Sequence, residues 1–185
     1  MFSSLISARL PISVTLEGVR WKPLAGVRFN KFTAGGVQGK GWISLDGRIY
    51  LSELSLSPDF LRSLPSLSPE PGFKPDKEAL RFEGALFHLE NLGSAKRVRI
   101  IRMQSAQLEI RGSVCWEGGR LEKASLAGLL SASLAERLPK HWRQRLPSAT
   151  GGKKMLKCAH KNNRLTFYGA SGPLLRATWL PDSSE

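Results

Sequence analysis

Apolar and polar residues alternate along much of the chain, most clearly from residue 105 to residue 116. A two-residue period is typical of a strand with one buried and one solvated face, because successive side chains point to opposite sides. At about 3.3 Å per residue, this segment predicts a strand of about 40 Å. Its apolar residues share one parity and are expected on the apolar face of a sheet: Ala106, Leu108, Ile110, Val114 and Trp116.

Segments with a similar two-faced pattern precede and follow this one. They cover residues 12–21, 27–32, 43–51, 80–90 and 98–103 before it, and 121–127, 153–159, 165–168 and 175–179 after it. Asp46-Gly47 predicts a two-residue hairpin turn, since glycine readily adopts positive φ, and a further turn is expected near Asn162-Asn163. Short connections between successive strands favour antiparallel neighbours.

Helix signals occur in two places, and only the second along the chain is periodic. Between residues 129 and 146, apolar residues recur every four positions with basic residues between them, which predicts an amphipathic helix. Pro139 interrupts this helix, so we expect a bend or two short helices at Leu138. Ser57-Pro58 is a helix-start signal, and Pro65 limits that helix to Pro58 through about Leu64.

These elements predict a mainly β protein (β-rich α+β). Its core would be a long twisted antiparallel sheet forming a groove or a sandwich, with one bent amphipathic helix and a short helix. Residues 65–78 are rich in proline and serine and predict a loop or linker. This loop would separate N-terminal strand pairs (1–64) from a C-terminal sheet (79–185), although one continuous domain is the alternative.

The charge of the chain is strongly basic and unevenly distributed. The formal net charge is +13, and residues 91–185 hold 17 basic and 6 acidic residues. This basic C-terminal half is suited to an anionic partner, either a membrane surface rich in acidic lipid or nucleic acid. The candidate contact residues follow the predicted helix and the segment after it: Arg137, Lys140, Arg143, Arg145, Lys153 and Lys154. Most aromatic residues share parity with aliphatic neighbours, which weakens the case for nucleic acid.

The sequence carries no catalytic pattern that we can identify. Nucleophile elbows, phosphate loops and paired metal-ligand spacings do not occur, and Cys158 and His160 form a lone Cys/His pair. We therefore expect no enzyme activity, no metal and no cofactor. Whether Cys115 pairs with Cys158 is left open. No run has the length of a membrane-spanning helix, and residues 1–11 do not resemble a signal peptide, so an exported chain would have lost its leader or would depend on a partner for delivery.

Two groups of segments resemble a known family. Residues 16–21 and 26–29 resemble the repeated opening of AsmA-like envelope proteins and of type II secretion N proteins. Residues 119–128, followed by 130–134 and the helix before Pro139, are similar to a later segment of those families. The resemblance implies an elongated, open or half-closed β-groove with an apolar interior, tied to lipid traffic or outer-envelope assembly. It also implies the bacterial cell envelope, on the periplasmic side, and an envelope protein partner.

Together these observations predict a non-enzymatic envelope protein with a lipid-handling groove. In that hypothesis, the five apolar residues of segment 105–116 face lipid. Two alternatives are a basic, β-rich nucleic-acid-binding protein and a structural subunit whose apolar edge completes a larger assembly.

Overall fold

The structure, a computed structural model, describes residues 14–34, 36–56, 81–118 and 120–178. Strands dominate it, in agreement with the predicted mainly β fold. In chain order the strands are β1 (Val14–Glu17), β2 (Arg20–Lys22), β3 (Gly26–Ala34), β4 (Val37–Ile43), β5 (Arg48–Leu56), β6 (Arg81–Leu92), β7 (Ala95–Gln104), β8 (Leu108–Glu117), β9 (Arg120–Leu130), β10 (Lys154–Lys161), β11 (Arg164–Gly169) and β12 (Gly172–Thr178).

All twelve strands belong to one antiparallel sheet. From β3 to β12 each strand pairs with the next in sequence, β1 pairs with β3, and β2 adds a short pairing to β3. The prediction of antiparallel neighbours is confirmed. Among the described strands there is a single open sheet rather than two stacked ones, and a twisted open sheet of this width is expected to curl.

The sheet is continuous across the predicted Pro-rich loop. Strand β5 pairs with β6 in a register that places Ile49 opposite Phe87 and Leu51 opposite Ala85. The loop itself (65–78) and the predicted short helix before it lie outside the described residues, as does Trp179. The strands assigned to the two sequence segments therefore share one apolar face.

The two predicted turns have different outcomes. Asn162 and Asn163 both adopt positive φ, 52° and 58°, and join β10 to β11 as a two-residue turn. At Asp46-Gly47 the hairpin is present but the two-residue turn was wrong: the Ser44 amide bonds the Arg48 carbonyl at 2.8 Å, leaving a three-residue loop. Only Gly47 of this loop has positive φ, which is typical of a type I turn followed by a glycine bulge.

The predicted strand over residues 105–116 is shifted and shortened. Strand β8 begins at Leu108, and residues 105–107 form the turn from β7. The Ser105 hydroxyl accepts hydrogen bonds from the amides of Gln107 (3.3 Å) and Leu108 (3.0 Å), a local bond pattern that competes with strand pairing. Ala106 is therefore exposed in a turn and does not belong to the apolar face.

The predicted bent helix is two short helices, α1 (Ala132–Glu136) and α2 (Lys140–Arg145). The break falls at Pro139, as expected, and Ser131 caps α1 by accepting a hydrogen bond from the Leu134 amide at 3.2 Å. Residues 129 and 130, predicted as helix, belong to β9. The apolar sides of both helices pack on the last strands of the sheet.

Candidate functional site: a half-buried apolar trough

Two fully buried clusters occupy opposite parts of the apolar face. The N-terminal core is formed by strands β1 and β3–β6, and its centre includes Phe29 (1% exposed), Leu54 (1%) and Phe82 (0%). The C-terminal core lies where α1 and α2 cover β9 and β11, and its rings Trp142 and Phe167 have centroids 6.0 Å apart. Both clusters have the burial of an ordinary protein interior.

The strands between these cores are different. No residue of β7 or β8 is fully buried, although both strands lie in the middle of the sheet. We call the half-buried apolar residues on the inward face of β7–β9 the central trough. Its members are Val98, Ile100, Met103, Leu108, Ile110, Val114, Trp116, Leu121 and Leu126.

Cross-strand registers place these residues on one face. Val98 pairs with Val114, and Val114 with Ala124; Met103 pairs with Ile110. Paired residues of neighbouring strands point to the same side of a sheet. Four of the five predicted groove residues, all except Ala106, therefore lie together in the trough.

A backbone irregularity lies in the floor of the trough. Ile101 and Arg102 together oppose Arg111, which makes a bulge in β7. Beside it, Gly112 has a φ of 147°, and a Cβ at that position would lie 2.1 Å from the Ser125 carbonyl oxygen. Only glycine fits this approach, which explains the gap that Gly112 makes in the sequence alternation.

The two ends of the trough differ. At one end Leu108 packs against both cores, and the chain passes from Leu130 into α1, where the Ser131 amide donates to the Gln107 carbonyl at 2.8 Å. At the other end the strands finish in turns: β6–β7 at Gly93, β8–β9 at Gly118 and β10–β11 at Asn162-Asn163. Trp116 lies at that end, opposite Lys96 on β7 and Leu121 on β9.

The two cysteines lie on opposite faces of the sheet. Cys158 pairs with Leu126 and packs against the C-terminal core, whereas Cys115 pairs with Lys123 on the outer face. Both are free thiols, so the question of their pairing is answered. Burial raises the pKa of Cys158 to about 12, which keeps it protonated and unreactive at neutral pH.

The outer face of the central strands is polar and strongly basic. On β6 and β7, Glu90 neutralises part of this charge through ion pairs with Arg97 (3.3 Å) and Arg99 (2.7 Å). On β8, Glu109 pairs with Arg111 at 2.7 Å. Farther along the outer face, on β9–β11, lies a shallow depression of about 490 Å³. Its lining includes Ser125, Ala127, Lys157, Ala159 and Tyr168.

The structure separates the residues predicted to contact an anionic surface. Arg137, Lys140 and Lys153 are exposed, whereas Arg143 is half-buried.

Two further members of that set make structural hydrogen bonds. Arg145 donates to the Pro173 carbonyl at 3.1 Å. Lys154 donates to the Ser148 hydroxyl at 2.9 Å and approaches the Leu146 carbonyl at 3.5 Å. The six residues therefore do not form one uniform basic helix face.

The structure also brings together a second group of cations on β9–β11, outside the six predicted contact residues. Lys161 pairs across strands with Lys123 on one side and with Arg164 on the other. We call these three residues the cationic row. Part of this row could be predicted from the sequence, because a two-residue turn at Asn162-Asn163 makes Lys161 and Arg164 direct cross-strand partners.

Neither a metal centre nor a spanning helix is evident in the described parts of the chain. In those ranges, no cluster of three or more His, Cys, Asp or Glu side chains is arranged to hold a metal ion. The helices described there are too short or too polar to cross a membrane. Comparison of the chain with protein-family models, curated proteins and solved structures finds no match. The resemblance to AsmA-like proteins therefore rests on the sequence segments alone.

Proposed function

We propose that this protein is a non-enzymatic protein of the bacterial cell envelope, on the periplasmic side, whose central trough holds the acyl chains of lipids. The observation that carries the proposal is the incomplete burial of β7 and β8 between two filled cores. A role in envelope or secretion-system assembly is the broader form of the same proposal, and an envelope protein would then be its partner.

An apolar trough that stays open to water is unfavourable. Contiguous exposed apolar surface in soluble proteins is usually covered by a ligand or a partner. Each buried methylene group contributes about 0.8 kcal/mol, so an acyl chain that enters the trough gains several kcal/mol from the part it buries. The trough runs along β8, whose ten residues give about 33 Å of strand.

The lining chemistry also favours an acyl chain. The members of the trough are aliphatic residues with one methionine and one tryptophan, and charge is confined to the outer face and to Lys96 at the turn end. An acyl chain requires no directional hydrogen bonds, which matches such a lining.

One observation favours nucleic acid as an alternative. Trp42 and Tyr50 are 40% and 46% exposed and stack on the outer face, with ring centroids 5.6 Å apart. Exposed aromatics beside cations can stack on bases. These two rings already stack on each other, however, and four strand spacings, about 19 Å, separate β5 from the cationic row on β9.

Site-specific photocrosslinking in a bacterial host tests the proposal. A photoreactive amino acid at Ile110 faces the trough, and the same group at Ile101, which is 38% exposed in the β7 bulge, is the matched control. We expect a lipid adduct, identified by mass spectrometry, at position 110 and none at 101. A protein adduct at 110 would instead support the structural-subunit alternative. Equal labelling at both positions, or no lipid at either, contradicts the proposal.

A further inference from the structure

The cationic row on β9–β11 has an unusual electrostatic arrangement. Its three residues are direct cross-strand partners, and like charges opposite each other in a sheet are destabilising. Among the described residues, none of the three forms an ion pair or a side-chain hydrogen bond. By contrast, Arg97 and Arg99 on β7 share the carboxylate of Glu90.

The nearest carboxylates among the described residues do not relieve this repulsion. Glu122 is exposed beside Lys123 in the bulge of β9 and makes no ion pair with the row within the described ranges. Glu117, in the β8–β9 hairpin, accepts a hydrogen bond from the Ser94 hydroxyl at 2.8 Å. A local arrangement that costs stability without an internal partner is typical of a binding surface.

The cationic row lies on the outer face of the sheet, opposite to the central trough, and reaches the turn end that the two faces share. Lys161 and Arg164 directly flank the Asn162-Asn163 turn, at the end of the sheet away from α1 and α2. Trp116 and Leu121 mark the same end on the apolar face. Since α1 and α2 lie at the opposite end, we expect a lipid with its chain in the trough to place its polar headgroup at the turn end, where the headgroup would bend around the hairpin tip to reach the row.

We infer that the cationic row binds the phosphate of an anionic lipid headgroup whose acyl chain lies in the central trough. This inference rests on the proposed function and adds the headgroup class and its position. Lysine and arginine bind phosphate through charge-assisted hydrogen bonds. Three cations side by side, without an ion pair in the described ranges, give a phosphodiester a site that a zwitterionic headgroup, with its own positive charge, uses less well.

Two soluble lipids with the same chain test the headgroup preference. Binding of lysophosphatidylglycerol and of lysophosphatidylcholine to the full chain is measured below their micelle-forming concentrations by native mass spectrometry and calorimetry. We expect both lipids to bind and the anionic one to bind more tightly. The preference should shrink at high ionic strength, because the row is exposed to solvent.

A pair of charge-matched variants locates the preference. Lys123→Glu with Lys161→Glu changes the row, and Lys140→Glu with Lys153→Glu makes the same change of charge at exposed positions near the helical end. In the row variant, we expect the ratio of the affinities for the anionic and the zwitterionic lipid to fall by about tenfold or more. Each basic residue near a phosphate contributes several-fold in affinity. The helix-end variant should keep that ratio. A milder variant, Lys123→Gln with Lys161→Gln, gives the same readout if the reversed charges impair folding.

The outcomes separate this inference from the proposed function. If both lipids bind equally, or if the row variant keeps the preference, the cationic row does not bind the headgroup, although the trough still holds lipid. If the helix-end variant loses the preference as strongly as the row variant, net charge rather than the row is responsible. If neither lipid binds, the proposed function fails and this inference fails with it.

Discussion

The N-terminal core and the central trough are built from the same two-residue pattern but differ in burial. Leu54 on β5 is 1% exposed, whereas Ile110 on β8 is half-buried, and both belong to the apolar face of one sheet. Alternation specifies which face of a strand is apolar. It does not specify how completely that face is covered. Here the fully buried part forms the core, and the half-buried part, which packs against that core at Met103, Leu108 and Ile110, provides the candidate site.

The largest expected effect is the difference in stability loss between a substitution in the N-terminal core and one in the central trough. Leu54→Ala should lower the free energy of unfolding by about 2–5 kcal/mol, since it leaves a cavity in a fully buried cluster. Ile110→Ala should lower it by less than about 1.5 kcal/mol in lipid-free protein, because its side chain lies at the margin of that core and is already partly in contact with water. Chemical denaturation of both variants measures the difference. Equal losses would indicate that the trough is a closed core.

A smaller loss is expected at the irregular point of the trough floor. Gly112→Ala should lower the free energy of unfolding by about 2 kcal/mol or more, because φ is 147° and the added Cβ meets the Ser125 carbonyl. Gly118→Ala is a control at a positive φ with no atom within 4 Å of its Cβ. Gly118→Ala should lower the free energy of unfolding clearly less than Gly112→Ala does. Similar losses for the two variants would mean that close approach of the backbone at Gly112 is unimportant.

Part of this architecture could be predicted from the sequence, because it depends on local chemistry. Pro139 marks the helix break, and Asn162-Asn163 marks a turn, since both are determined by the φ preferences of the residues themselves. The strand start at Leu108 was missed because the Ser105 hydroxyl bonds the backbone and ends the alternation early. The pairing of Lys161 with Arg164 follows from that turn, whereas their alignment with Lys123 depends on the register of β9 and β10, which one sequence does not reveal.

The smallest expected effect concerns the reactivity of Cys158. Burial raises its pKa to about 12 from an unfolded value near 9, so the folded protein retains the thiol proton over that range. Alkylation of Cys158 by iodoacetamide near pH 8 should therefore be much slower in folded than in unfolded protein. Because the unfolded thiol ionises first as pH rises, stability should decline above about pH 9. Cys158→Ala should remove that part of the decline.

Bound lipid measures the central claim most directly. The wild-type chain, produced in a bacterial host and purified without detergent, is weighed by native mass spectrometry beside Ile110→Asp and Ile101→Asp. We predict added masses that correspond to lipid on the wild type and on Ile101→Asp, and their loss from Ile110→Asp while circular dichroism still shows a β-sheet. A wild-type chain free of lipid, together with unfolding of Ile110→Asp, would contradict the account and indicate a closed, filled core.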